Sequence, residues 1–441
     1  MAEHSGRPLR WDIYDTHLEE ATFRWSQWEN ALDAPDFTLE EVAELEEPVA
    51  AHVDGLVLGG EPVATRLLVP ALGEDPERIV AAALALLGAE GAYGPAAVLE
   101  ALPAAEPPAL AALRRAFELT SSAGIPAVLP SLLKKEDAVP ELVALVLDTL
   151  GTHGLATAPL CTPFLTHPEP LVVAAALRAA SRARLPLEPA LLQGALDSSA
   201  PELRDAAILA GLMGGHRGAW AACQAVAESR TPGGRLPLLL LGMNGDERDV
   251  KRLLERLSDE KLRPDVLWAL GFSGRMAAAD ACVELLRHKP VAALAGEAFS
   301  AITGLRITEQ YAVAREEEDE ALPSLEEEDL DADLTPKPED ALPLPQPDAV
   351  ATWWKEARPR LDVKQRYLAG QPFTPQVLLD ALVNAPMRRR HALALELALR
   401  SRNATHVPTR AFVTHQLAAL KMARAAPGSS FSRPFTEGLR D

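Results

Sequence analysis

A beat of about thirty residues constrains this chain more than any other feature, because internal repeats decide the whole architecture. Five apolar helical runs end in Gly-x-x-Gly, at Gly88/Gly91, Gly151/Gly154, Gly211/Gly214, Gly242/Gly245 and Gly271/Gly274. The first glycines lie 63, 60, 31 and 29 residues apart, so each long gap is close to twice a short one. Weaker copies fall in the two gaps, at Phe117-Glu118-Leu119-Thr120-Ser121 and Ala179-Ala180-Ser181-Arg182. Pro76, Pro108, Pro140, Pro170, Pro201 and Pro232 keep the same beat, at spacings of 32, 32, 30, 31 and 31. Proline in a first helical turn loses no needed hydrogen bond, and glycine past the last turn tolerates positive φ. Asp75-Pro76-Glu77 carries a full start signal, with a capping acid, a proline and a second acid near the positive helix end. A helix is predicted from Asp75 to Leu87, with Pro95 to Leu102 as its partner.

A helix pair of that length cannot bury its apolar face alone, whereas stacked neighbours can. Ala and Leu dominate and aromatic residues are 5%, which favours helices over strands. The expected fold class is all-α, a superhelical α-solenoid of helix pairs. These pairs resemble HEAT repeats in their short bacterial form. Ser258-Asp259-Glu260-Lys261-Leu262-Arg263-Pro264-Asp265-Val266-Leu267-Trp268-Ala269-Leu270-Gly271 carries that likeness.

The two ends differ from the array, expected over 61–312. In the first segment, 1–60, Leu18, Ala21, Trp25, Trp28 and Leu32 step by 3, 4, 3 and 4 along one helix face. Thr38 and Glu41 form a capping-box pattern before a second helix with Val42, Leu45, Val49, Val53 and Leu56 on one face. This pair suits a terminal cap, and Trp25 and Trp28 serve either its core or a partner site. Residues 313–347 hold the acidic blocks 316–320 and 326–333, followed by Pro336, Pro338, Pro343, Pro345 and Pro347, and read as a disordered linker. A basic small helical domain, or more repeats, is expected at 348–426, with apolar runs at 374–384, 389–399 and 407–423, then a flexible tail at 427–441. From 355 onward 15 basic residues face 6 acidic ones, a balance of +9 in a chain whose net charge is −20.

Arg388, Arg389 and Arg390 place three cations in a first helical turn, where the helix dipole opposes them. They read as a solvated turn or as a docking site for acid, either the chain's own 316–333 block or a partner. Trp353 and Trp354 are adjacent, so both cannot enter one helical stripe, and one is expected either to pack on the solenoid or to meet a partner.

The acidic balance disfavours general binding to nucleic acid or to anionic membrane. No signal-peptide profile, membrane span or disulfide framework is read from the sequence, and the expected location is the cytoplasm. Phosphate-loop, dinucleotide, zinc-protease and nucleophile-elbow motifs are missing. Cys161, Cys223 and Cys282 match no metal-ligand spacing, and the last two read as small core residues. No catalytic residue, metal or cofactor is expected.

Several stretches resemble an uncharacterised family of bacterial HEAT-like proteins. The likeness rests on His17-Leu18-Glu19-Glu20-Ala21 through Trp25-Ser26-Gln27-Trp28-Glu29, on His52-Val53-Asp54-Gly55-Leu56, and on Ala295 through Leu305. It closes with Trp353-Trp354, Arg366-Tyr367-Leu368-Ala369-Gly370 and Arg388 through Ala398. Members of such a family tend to lie beside spike-tip and effector-adaptor genes of the type VI secretion system. The resemblance therefore implies an accessory or loading role, with a spike, adaptor or effector protein as partner. A non-enzymatic protein-binding scaffold is the leading expectation. The alternatives are a HEAT-like enzyme, such as a lyase or DNA-repair glycosylase relative, and a purely structural spacer.

Overall fold

The structure, a computed structural model, describes residues 9–135, 138–229, 234–313, 337–426 and 434–440. Among them the chain is all-helical apart from one two-residue hairpin. The N-terminal helices are α1 (Trp11–Ala31), α2 (Leu39–Leu58), α3 (Gly60–Val63) and α4 (Val69–Ala71). Next come α5 (Pro76–Gly88), α6 (Tyr93–Ala101), α7 (Pro107–Leu119), α8 (Pro140–Thr152), α9 (Ala158–Cys161), α10 (Pro170–Arg182) and α11 (Pro189–Leu196). They continue with α12 (Pro201–Gly214), α13 (Arg217–Glu228), α14 (Arg235–Asn244), α15 (Glu247–Arg256), α16 (Arg263–Ser273), α17 (Met276–Leu285) and α18 (Ala292–Thr303). The C-terminal part holds α19 (Pro347–Ala357), strands β1 (Tyr367–Leu368) and β2 (Gln371–Pro372), α20 (Pro375–Asn384), α21 (Met387–Arg400) and α22 (Val413–Ala425).

Prolines begin the helices where the beat places them. Pro76, Pro140, Pro170 and Pro201 each open α5, α8, α10 and α12, and α7 opens one residue before Pro108. Pro232 lies outside the described residues. The start signal at α5 works through proline and backbone, since the Asp75 side chain makes no capping bond. α7 packs on α5, α8 on α7, α10 on α8 and α12 on α10. Helix α13 carries the contact to α14, after which α16 and α18 follow.

The glycine pairs have two separate jobs. The second glycine takes a left-handed turn at Gly91, Gly154 and Gly274, whereas after α12 that turn falls on Gly215 and Gly245 keeps a negative φ. The first glycine lies inside its helix and lets the next one approach. A β-carbon on Gly151 of α8 would stand 2.8 Å from the Cα of Ala179 in α10, and one on Gly271 of α16 would stand 3.0 Å from the Cα of Ala298 in α18. Those first glycines are therefore packing positions inside the helices rather than helix ends.

The N-terminal pair follows the sequence closely. Leu18, Ala21, Trp25, Trp28 and Leu32 are all buried, and the Thr38–Glu41 capping box forms. The C-terminal half departs from expectation. The acidic blocks 316–320 and 326–333 lie outside the described residues, but 337–347 is packed and hydrogen-bonded. Val313 N–H donates to the Leu344 carbonyl at 2.8 Å, Gln346 N–H donates to that of Tyr311 at 2.7 Å, and Leu342 is buried. Pro345 rests on Gly296 of α18, which has no side chain to hold it off. A short proline-rich strip can dock where the neighbouring helix offers such a flat surface. Residues 434–440 of the expected tail also pack, with Leu439 buried and Phe435 against Trp220.

The expected basic domain is no separate body. Two apolar clusters divide the chain, one N-terminal and one from α10 onward. Helix α21 joins them, since Met387 belongs to the first and Leu393 and Leu397 to the second. Among the described residues no helix is long and apolar enough to cross a membrane.

Replacing Gly151 with Ala is expected to destabilise the chain by about 1–3 kcal/mol through overpacking, although Ala is the better helix former. Gly194 of α11, whose added β-carbon meets nothing within 4 Å, is the control. Its Ala variant is expected to be neutral or slightly stabilising, and urea unfolding of both variants checks the pair.

Candidate functional site

Helix α21 starts where the chain returns to its own N-terminus. Met387 N–H donates to the Phe37 carbonyl at 2.9 Å, and Arg388 N–H donates to that of Ala34 at 3.0 Å. The α1–α2 turn thus satisfies two donors that a helix start leaves open. The three arginines that follow point inward and are 7%, 5% and 0% exposed, so the solvated-turn reading fails. None of them presents a surface to a partner in this fold.

Each arginine has a different environment. Arg388 donates to Glu297 at 3.2 Å and to Glu339 at 2.8 Å, and lies over the Trp268 ring. Arg389 donates to the Gly271 carbonyl at 3.0 Å and lies 4.0 Å from the Phe272 ring centroid. Arg390 donates to the Leu382 carbonyl at 2.6 Å and to the Met387 sulfur at 3.2 Å. Burial pushes the Arg389 and Arg390 guanidiniums down to about 10, so both stay charged at neutral pH. The acid that meets Arg388 and Arg389 comes from α18 and from the strip at Glu339.

A second charged knot sits further along α21. Glu396, fully buried, accepts from Arg366 at 2.7 Å and from Arg400 at 2.7 Å. Arg366 also donates to the Phe272 carbonyl at 2.8 Å, which ties the hairpin to α16. Both arginines lie against the Phe373 ring. The two guanidiniums hold Glu396 below the ordinary carboxylate range against the opposing effect of burial.

The tryptophans are also internal. Trp28 is fully buried, donates from its indole to Glu46 at 3.1 Å, and packs on Trp25 and Phe412. Glu46 also accepts from Val413 N–H at 2.8 Å, at the start of α22. Burial lifts the Glu46 carboxyl to about 7, against these two donors, which pull it down. Trp354 is buried and donates to Asp280 at 2.9 Å, while Trp353 is half-buried. Both indoles meet Phe299 edge-on, so the ring of α18 serves the two adjacent residues together. All three cysteines are buried free thiols, and burial raises their pKa values.

Sequence reasoning missed a cleft of about 600 Å³ beside α21. The ends of α7, α8, α10 and α12 form one wall, and residues 403–411 form the other. Arg115 is clamped to Glu29 at 2.8 Å, and Arg410 to Asp33 at 2.7 Å. His391 spans Thr409 and the Leu32 carbonyl, at 2.7 and 2.9 Å. His406 lines the cleft with its side chain exposed at the rim, and the protein around it, with Arg182, pulls it down to about 4. These residues come from distant stretches, and single cations at helix ends carry no spacing signal. No group of three or more His, Cys, Asp or Glu among the described residues could hold a metal ion.

Two outcomes check this arrangement. Glu396→Gln leaves two buried arginines short of an anion, and a loss of about 3–5 kcal/mol is expected in chemical unfolding. Because Glu396 is depressed in the fold, its contribution is present above the unfolded value and lost as pH falls, and the variant should show less acid sensitivity. Glu46 runs the opposite way. Between its unfolded value and about 7 the folded chain holds a proton that the unfolded chain has lost. Its contribution to stability therefore declines across that window, and Glu46→Gln should flatten the decline in a pH series of melting temperatures. Compared with known proteins, the chain matches no family model and no curated protein.

Proposed function

We propose that this chain is a non-enzymatic, protein-binding scaffold built as a HEAT-like α-solenoid. The observation that carries this reading is the run of contacts from α5 to α18, with α21 laid along it from the α1–α2 turn to the end of α10. A series of stacked helices of this kind offers extended surfaces to other chains. The array holds a helical segment of its own through carbonyls, carboxylates and aromatic faces, which are general means of holding a peptide. The resemblance to the secretion-associated family supports the narrower part of the proposal, an accessory or loading factor acting in the cytoplasm on a spike, adaptor or effector protein.

The partner surface lies away from Arg388, Arg389, Arg390, Trp25, Trp28 and Trp354, which the chain uses on itself. Trp353, half-buried beside Phe299 and Trp354, is the one of the seven expected site residues left at the surface. A pulldown with tagged full-length protein, from cells expressing the secretion machine, tests the proposal. Saturable enrichment of one spike, adaptor or effector protein is expected, and recovery of no secretion component would overturn the loading role.

A further inference from the structure

The 600 Å³ cleft adjoins a second cavity of about 440 Å³, and Met213 and Asn403 line both. Arg115, Arg182 and Arg410 line the larger cavity, and Arg184 and Arg402 line the smaller. Glu118 is the single carboxylate among these lining residues. That is five cations to one anion in a chain with 43 basic and 63 acidic residues. Arg115 and Arg410 are neutralised by Glu29 and Asp33. Arg182, Arg184 and Arg402 pair with no carboxylate among the described residues. Arg182 donates to the Thr152 hydroxyl and Arg402 to the Gly438 carbonyl.

Helix dipoles account for part of this charge. The C-terminal ends of α10, α12 and α21 converge here, at about half a negative charge each, which offsets about half of three cations. The remainder faces a half-enclosed space whose low-dielectric walls focus the field. The left-handed turns that end two of these helices shape its rim. Arg184, Arg402 and Asn403 have φ of +56°, +50° and +56°, three of the five non-glycine residues with positive φ among the described residues. These residues end α10 and α21, where Leu185 N–H donates to the Ala180 carbonyl at 2.9 Å and Asn403 N–H donates to the Ala398 carbonyl at 2.7 Å. Asn403 fixes the bend by donating to the Ser181 carbonyl at 2.8 Å.

We infer that this double cavity binds a small anion carrying two or more phosphate or carboxylate groups. Guanidinium forks match the oxygen geometry of both groups. The larger cavity falls within the usual 300–1,000 Å³ of small-molecule sites. Met213, Leu395, Ala398 and Val407 give it an apolar floor for the body of such a ligand. Neutral His406 adds a polar contact without adding charge. This site stands independently of the scaffold reading.

The test is calorimetry and thermal melting of the full-length protein with pyrophosphate, citrate, ATP and a hexaglutamate peptide as probes. At least one of the three small anions is expected to bind saturably, raise the melting temperature and weaken with salt. Pyrophosphate or ATP against citrate separates phosphate from carboxylate preference. The double variant R184A/R402A is expected to weaken that binding about tenfold or more, from the loss of charge-assisted hydrogen bonds. R184K/R402K keeps the charge without the fork and should bind at an intermediate level, and melting without ligand shows that both variants fold. Saturable binding of none of the small anions, binding indifferent to the substitutions, or binding of hexaglutamate alone would each overturn the inference.

Discussion

The structure depends on how α21 carries positive charge into its interior. A buried guanidinium without partners is expensive, and removing one partner of a buried pair typically costs about 3–5 kcal/mol. Here the partners are spread over the chain, with Glu297 on α18, the Gly271 carbonyl on α16, Glu339 before α19 and Glu396 on α21 itself. Gathering them forces those elements together. The aromatic faces of Trp268, Phe272 and Phe373 cover the flat sides of the guanidiniums, which suits arginine better than lysine.

The same helix explains why the C-terminal half is a continuation of the fold. Its first turn is capped by backbone carbonyls of Ala34 and Phe37, at the opposite end of the chain. Beyond its last turn, Asn403 reaches the end of α10. A series of stacked helices would otherwise leave one long side open to solvent, and α21 lies along it with contacts to early, middle and late members. Binding to another protein must therefore use surfaces that the chain leaves free, or compete with its own segment.

The helical class, the proline starts and the Trp25–Trp28 stripe were legible in the sequence because they are local. Periodicity and capping act within one or two turns, and Thr38 with Glu41 could be read directly. The fate of Arg388 and Arg389 could not be read, because it is set by residues about 50 to 120 positions away. Local rules see three cations at a helix start and place them in water. Gly151 and Gly271 misled for a related reason, since a glycine suits both a tight turn and a close helix approach, and only the neighbouring helix decides. The arginine cleft had no signature, because Arg182, Arg184 and Arg402 each look like an ordinary cation at a helix end.

Hydrogen exchange on the intact chain tests most directly whether α21 is structural to the whole. If it ties the fold together, amides of residues 390–399 should exchange as slowly as those of α16, near the limit set by global unfolding. Fast exchange across α21 while α16 stays protected would show a detachable segment and contradict the account.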